Sequence, residues 1–211
     1  MYVPEPFAWH DQDALWRALQ ADSFGLLIGP GRAGEPPLVS HLPFLAEPRS
    51  GRLLCHVARE NPQWQAIQAI GNGAPVRCVF SGAHGYVSPT WYEKPDRAVP
   101  TWNYVAVHAI GTAKAVEDQD WLDDLVTRLS AEREHAEGWR PAMMRPAAYR
   151  AMLGAIVGID IAVESLEGKR KLSQNRSPVD QLNVAAALAA SEWPGDHALA
   201  EEMAREQGQA A

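Results

Sequence analysis

No apolar run in this chain is long enough to span a membrane, and its first residues carry no basic segment followed by an apolar one. A cytoplasmic protein with no membrane partner is the expectation that follows. Cysteine is nearly absent. Cys55 and Cys78 each sit inside a strand-like run with no C-x-x-C spacing, so both are expected as small buried apolar residues. Positive charge is short as well: 19 Lys and Arg against 26 Asp and Glu give a net charge of −7, which works against non-specific binding to nucleic acid. Only a local basic patch is left to meet a polyanion. The familiar catalytic signatures are missing: no G-x-S-x-G elbow, no phosphate loop ending in Gly-Lys-Ser/Thr, no H-E-x-x-H and no dinucleotide fingerprint after a strand. Gly71-Asn72-Gly73 reads as a turn and nothing more. Repeats, low-complexity linkers and a clear domain boundary are also lacking.

What is present is organised around VPTWNYVAVHAIGTAKAV, residues 99–116. Pro100 suits the entry to an extended segment, and the run that follows is rich in β-branched and aromatic residues. Alternation puts Thr101, Asn103, Val105, Val107 and Ala109 on one face, and Trp102, Tyr104, Ala106, His108 and Ile110 on the other. Both faces are largely apolar, which predicts a strand covered on both sides, with Gly111 marking a bend or bulge. The donors gathered at its entrance suit a planar polar ligand better than a packed core.

Shorter strands are expected at 24–28, at 38–45 with Pro43 implying an edge or bulge, at 52–58, at 75–81 and 86–87 around a Gly82–Gly85 break, and at 157–163, ending at Gly168. Helical spacing appears at 11–21, 118–130 and 146–153. In HVARENPQW, Asn61 can cap a helix, Pro62 suits its first position and Gly71 can end it. An anion can sit on the free N–H groups of such a helix end, with Arg59 beside it. Ser177, Pro178 and Asp180 form a further helix start, and the stretch from Asp196 is a polar tail or short helix. The segment LEGKRKLSQNRSPVD reads as a basic polar loop, whose Lys169, Arg170, Lys171 and Arg176 suit a phosphate or carbonyl-rich ring. His41, His56, His84 and His108 fall on or beside strands. They have no H-x-H spacing and no acidic companion, so packing and hydrogen-bonding roles are expected and no metal site. Sixteen glycines and sixteen prolines, scattered singly, fit the many short connections of a small antiparallel β-barrel with peripheral helices.

In order, MYVPEPFA, SHLPFL, HVARENPQW, GYVSPTWY, VPTWNYVAVHAIG and LEGKRKLSQNRS resemble the PaiB family, FMN-binding proteins described as negative transcriptional regulators. The likeness runs from Met1 to about Ser177. It implies a mostly β fold with peripheral helices, a six-stranded antiparallel split β-barrel like that of the pyridoxamine-phosphate oxidases, in residues 1–190, with 191–211 as a polar tail or short helix. It further implies a homodimer with FMN at the subunit interface. By that resemblance Ser40, His41 and Leu42 lie along the flavin, and His56, Arg59 and Asn61 grip its phosphate. Thr101, Trp102 and Asn103 edge the isoalloxazine, from the other subunit, while Lys171, Ser173 and Gln174 close the site; Asn103 or Gln174 would donate to the ring. The oxidases carry arginine and lysine on the strand that here reads Ser40-His41-Leu42, so their own reaction is not implied and the phosphate depends more on Arg59.

Two roles follow from the resemblance: a flavin-dependent oxidoreductase on a small substrate, or a flavin-responsive regulator. The alternatives are a haem-binding barrel, with His41, His56 or His108 as axial ligand, and a direct DNA-binding repressor. The last has weak footing, because the 178–188 helix contains no basic residue and no helix-turn-helix is evident.

Overall fold

The computed structural model describes residues 1–31, 34–71 and 73–208. Asn72 of the predicted turn and the tail residues 209–211 lie outside the described residues. The strands are β1 (Ala8–Trp9), β2 (Phe24–Gly29), β3 (Leu38–Pro43), β4 (Leu45–Glu47), β5 (Arg52–Ala58), β6 (Ala74–Val87), β7 (Thr101–Val116) and β8 (Ile156–Lys171). Six helices accompany them among the described residues: α1 (Gln12–Ala21), α2 (Pro62–Ile70), α3 (Gln119–Ala131), α4 (Pro146–Gly154), α5 (Pro178–Ala189) and α6 (Pro194–Glu206). Among the described residues the sheet has eight strands, the six expected plus the short β1 and β4, in the order β3-β2-β6-β7-β8-β5-β4, with β1 paired to β8. Every pairing with a defined register is antiparallel.

The chain divides into two compact units: Met1–Asp11, Ser81–Val107 and Glu167–Ala211 form one, and Gln12–Phe80 and His108–Leu166 the other. The division falls inside β6, β7 and β8, where no linker composition could have announced it. In the second unit, Leu53, Cys55 and Val57 of β5 are buried, as are Val157, Ile159 and Ile161 of its partner β8. Both cysteines are buried and free; burial raises the Cys55 thiol well above its usual range and takes Cys78 to about 12. Helix α3 is capped by Asp118, whose carboxylate accepts from Trp121 N, and it buries Leu122 and Leu125. Leu125 packs with Leu45 and Leu54, joined by Trp121 and Leu129. In the first unit Val87, Tyr92 and Leu172 form a cluster with Val184 and Leu188 of α5 and Leu199, Ala200 and Met203 of α6. The C-terminal stretch is thus a 13-residue helix that completes a core.

Three expectations about glycine and strand ends need correction. Strand β6 runs unbroken through Gly82 and Gly85. A Cβ at Gly85 would lie 2.7 Å from Asp196 Oδ1 and 2.9 Å from Leu199 Cδ2, so the residue admits α6 and does not make a turn. Gly111 likewise sits within an uninterrupted β7, where a side chain would run into the Ala162 carbonyl of β8. Strand β8 continues past Gly168 to Lys171, which puts Lys169, Arg170 and Lys171 on a strand and not in a loop. One face of β7 is buried at Asn103, Val107, Ala109 and Ala113, while Tyr104, His108 and Ile110 on the other are only half-buried and Trp102 is exposed. The expected cover on both sides is absent there. Pro43 ends β3, which is an edge strand as its proline implied.

Candidate functional site

The sequence HVARENPQW folds as its local chemistry dictates. Asn61 takes an extended backbone, and its Oδ1 accepts from Gln63 N at 2.9 Å; Pro62 opens α2, and Gly71 closes it at φ 88°. The other end of the Asn61 amide donates to Ser40 Oγ at 2.9 Å, binding β3 to the start of α2. Because the Ser40 oxygen accepts that bond, its own hydroxyl proton stays available to a ligand. Gln63, fully buried, reinforces the link by donating to the Leu27 and Leu38 carbonyls at 3.0 and 3.1 Å.

Arg59 is held firmly. Its Nε donates to Gly154 O at 2.7 Å, its Nη2 to Ile156 O at 3.3 Å and its Nη1 to Glu117 at 2.7 Å, with Trp64 5.9 Å away beneath the guanidinium. The hydrogen bond from Arg59 keeps the Glu117 carboxyl below its ordinary range. Three of the five guanidinium N–H groups are occupied, leaving two for a further acceptor. Sequence spacing gave no hint of Glu117, which lies 58 positions along the chain.

His56 does not join this group. It lines a separate cleft of about 230 Å³ with Ser23, Pro43, Val126, Glu132 and Arg133. Its Nδ1 is buried without a partner, and burial lowers its pKa, which favours the neutral ring. Arg133 donates to Ser23 Oγ at 2.8 Å in the same cleft. On β3, His41 is exposed and tilted against Phe24, with ring centroids 6.5 Å apart, and Leu42 is half-buried.

The remaining site residues belong to the first unit. Lys171 Nζ donates to Thr101 Oγ1 at 2.8 Å and to the Trp102 carbonyl at 2.5 Å. Desolvation lowers the Lys171 pKa, helped by the charges of Lys169 and Arg176. The Trp102 ring is exposed, with Tyr86 edge-on at 6.3 Å and His84 at 6.5 Å. Asn103 points inward: fully buried, its Nδ2 donates to Ser173 Oγ at 2.9 Å while Oδ1 has no partner. A packed core does use this donor. Ser173 takes a left-handed backbone at φ 67° to reach it. Gln174 closes its own turn, accepting from Leu172 N at 2.7 Å and donating to Arg170 O at 2.6 Å.

In one unit Ser40 and Asn61 are thus joined to each other, while the Arg59 guanidinium is held separately by Gly154, Ile156 and Glu117; in the other Thr101, Trp102 and Lys171 form a cluster, and Asn103, Ser173 and Gln174 are tied up in backbone and core contacts. Among the described residues no three His, Cys, Asp or Glu side chains form a metal-sized group. His108 Nδ1 lies 3.3 Å from Arg77 Nη1, and His84 Nδ1 3.1 Å from the Gly82 carbonyl.

The family described as "Putative FMN-binding domain" matches residues 1–165. The protease synthase and sporulation protein PAI 2 of Bacillus subtilis (strain 168) is 32% identical over 208 residues, covering 96% of each chain. The uncharacterized protein AN0679 of Emericella nidulans is 29% identical over 220 residues, covering 86% of this chain and 87% of its own. Among solved structures, the flavocytochrome Anf3 from Azotobacter vinelandii superposes with a TM-score of 0.58 at 14% identity, over 78% of this chain and 69% of that one. The FAD and heme binding protein from Mycobacterium smegmatis gives 0.57 at 17% identity, over 88% and 80%. At such identities the structural likeness shows the fold alone: mostly β, antiparallel, with peripheral helices, of the split-barrel class. No described helix is long and apolar enough to cross a membrane.

Proposed function

Since the chain belongs to the PaiB-like family of FMN-binding split-barrel proteins, we propose that it binds FMN at a seam between two copies of itself. The flavin would serve a redox reaction on a small substrate or report flavin state to a regulatory partner. The observation that carries this reading is the open edge strand β3. Its residues alternate between half-buried and exposed along its whole length, although the sequence is apolar. Val39 is 51% exposed and Phe24, across from Pro43 on β2, is 58% exposed; alternation puts both on the face of β3 that carries His41, with Ser40 and its bond to Asn61 on the other. An edge strand that leaves apolar groups exposed along one face suits a flat ring backed by a second subunit.

The donor set fits FMN. Ser40 offers a hydroxyl proton and Arg59 two N–H groups. When bound, flavin supplies the electron-transfer chemistry. The chain's share is to hold the phosphate near Arg59 and the start of α2, and to shield the ring with β3. Regulation, if it is this protein's task, would act through a ligand or protein partner and not through a DNA-reading helix: α5 carries no basic residue, and Arg170 is engaged by Glu202 and Glu206.

The test is titration of the purified chain with FMN, read by flavin fluorescence and melting temperature. Saturable quenching with a rise in Tm is expected at micromolar FMN; an unchanged flavin spectrum with no thermal shift would refute the reading.

A further inference from the structure

Several buried and half-buried cations of this protein are paired with carboxylates. Arg52 pairs with Asp160, Arg128 with Glu47, Arg59 with Glu117, and Arg170 with both Glu202 and Glu206. Lys169, Lys171 and Arg176 have no carboxylate partner among the described residues, in a chain with seven more acidic than basic side chains. Lys169 is only 6% exposed. Its ammonium donates to the Tyr2 carbonyl at 3.1 Å and lies 5.7 Å from the Tyr2 ring and 5.0 Å from the Tyr104 ring. Lys171 lies 5.9 Å from the Phe7 ring, and the Arg176 guanidinium stacks 4.5 Å from Tyr92.

Period-two alternation puts Lys169 and Lys171 on one face of β8 and Arg170 on the other. The acids of α6 meet Arg170, and the one acid that shares the lysine face, Glu167, pairs with the N-terminal ammonium of Met1. Burying an ammonium without an anion costs several kcal/mol, and ring faces recover only part of it. Donors also remain: the Lys169 ammonium spends one N–H and Lys171 two of three, and no described group accepts from the Arg176 guanidinium. The lowered Lys171 pKa agrees, since the like charges of Lys169 and Arg176 both contribute to it.

We propose that Lys169, Lys171 and Arg176 form a receptor for the anionic group, carboxylate or phosphate, of a small-molecule ligand. This deepens the flavin reading by naming the class of ligand that completes the site. The anion is that of a separate substrate, because the flavin's phosphate is assigned to Arg59 and the start of α2. Lys171 and Arg176, both partly exposed, would touch it, while Lys169 would supply field from behind.

The experiment titrates inorganic phosphate into the FMN-treated protein at constant ionic strength, read by Trp fluorescence and Tm, and separately compares FMN with riboflavin. Variants are Lys171→Gln, Arg176→Gln and the charge-preserving Lys171→Arg. For a substrate anion, phosphate binds saturably with FMN present, and each Gln variant weakens it roughly tenfold or more while FMN affinity holds. Gln variants that weaken FMN by a similar factor and leave riboflavin untouched would show that these cations hold the flavin's phosphate, overturning both the separate substrate anion and the Arg59 assignment. Lys171→Arg should restore most of the loss in either case. If phosphate acts no differently from chloride, and FMN and riboflavin bind the Gln variants as they bind the parent, the three cations are structural and the proposal is overturned. Riboflavin binding by the parent chain reports on the flavin reading independently, so the two can fail separately.

Discussion

Asn61 gives the sharpest separation of fold from ligand. Its amide does two jobs, capping α2 through Oδ1 and donating to Ser40 through Nδ2. Asn61→Ala removes both: about 1 kcal/mol for the cap and about 1 kcal/mol for the hydrogen bond. For a chain of this size that is a Tm drop of roughly 4–8 °C. Asn61→Asp keeps the cap and adds a charge that the helix N-terminus favours by roughly 0.3–1 kcal/mol, offsetting the lost bond to Ser40. Its stability should therefore stay within about 1 kcal/mol of the parent. Its effect on FMN should be severe. A carboxylate about 5 Å from a phosphate charge, at an effective dielectric of about 20, costs roughly 3 kcal/mol, or about a hundredfold in Kd. Urea denaturation and fluorescence titration measure the two quantities on the same samples. An Asp variant that is stable and binds FMN as tightly as the parent would show that the phosphate does not sit at this helix end.

Gly111→Val should leave the chain largely insoluble or cost more than about 3 kcal/mol, because any side chain there strikes the Ala162 carbonyl, whereas Gly154→Ala, with open space around it, should be neutral or slightly stabilising; solubility and urea midpoints decide. His56 titrates below its ordinary value of 6.5 because burial disfavours the imidazolium. The folded chain then binds fewer protons than the unfolded one just below that pH, so stability falls as pH drops through 6.5 and levels off below the depressed folded value. His56→Gln should flatten that slope in urea midpoints taken from pH 7.5 to 5. Cys55 and Cys78 should resist a thiol reagent at pH 8 and react once urea unfolds the chain, since both are buried and held protonated; rapid labelling of the native protein would contradict this.

The β5–α2 junction was legible because its signals are local. A cap, a proline and a closing glycine act within a few bonds, and Asn61–Pro62–Gly71 produces the expected helix. The 178–189 helix followed from Ser177 for the same reason, and the 119–131 helix from its apolar spacing. The glycines misled because their role is set from outside the strand: Gly85 answers to Leu199 and Asp196, more than a hundred positions away, and Gly111 to Ala162. The extension of β8 through Lys171 was hidden behind charged residues that read as a loop. What makes it a strand is pairing with β1 and the rings of Tyr2, Tyr104 and Trp9 that receive its cations. The partner of Arg59 was invisible for a similar reason, as was the inward turn of Asn103 onto Ser173. The candidate residues could be named as types and positions. Which of their donors remain free could only be counted once their partners were known.

Native mass spectrometry of the chain after incubation with FMN tests the central claim most directly. The account predicts a species of two chains carrying two FMN molecules, with loss of FMN in Asn61→Asp but persistence of the dimer. A single chain with no bound flavin, or a dimer whose added mass is haem, would contradict it.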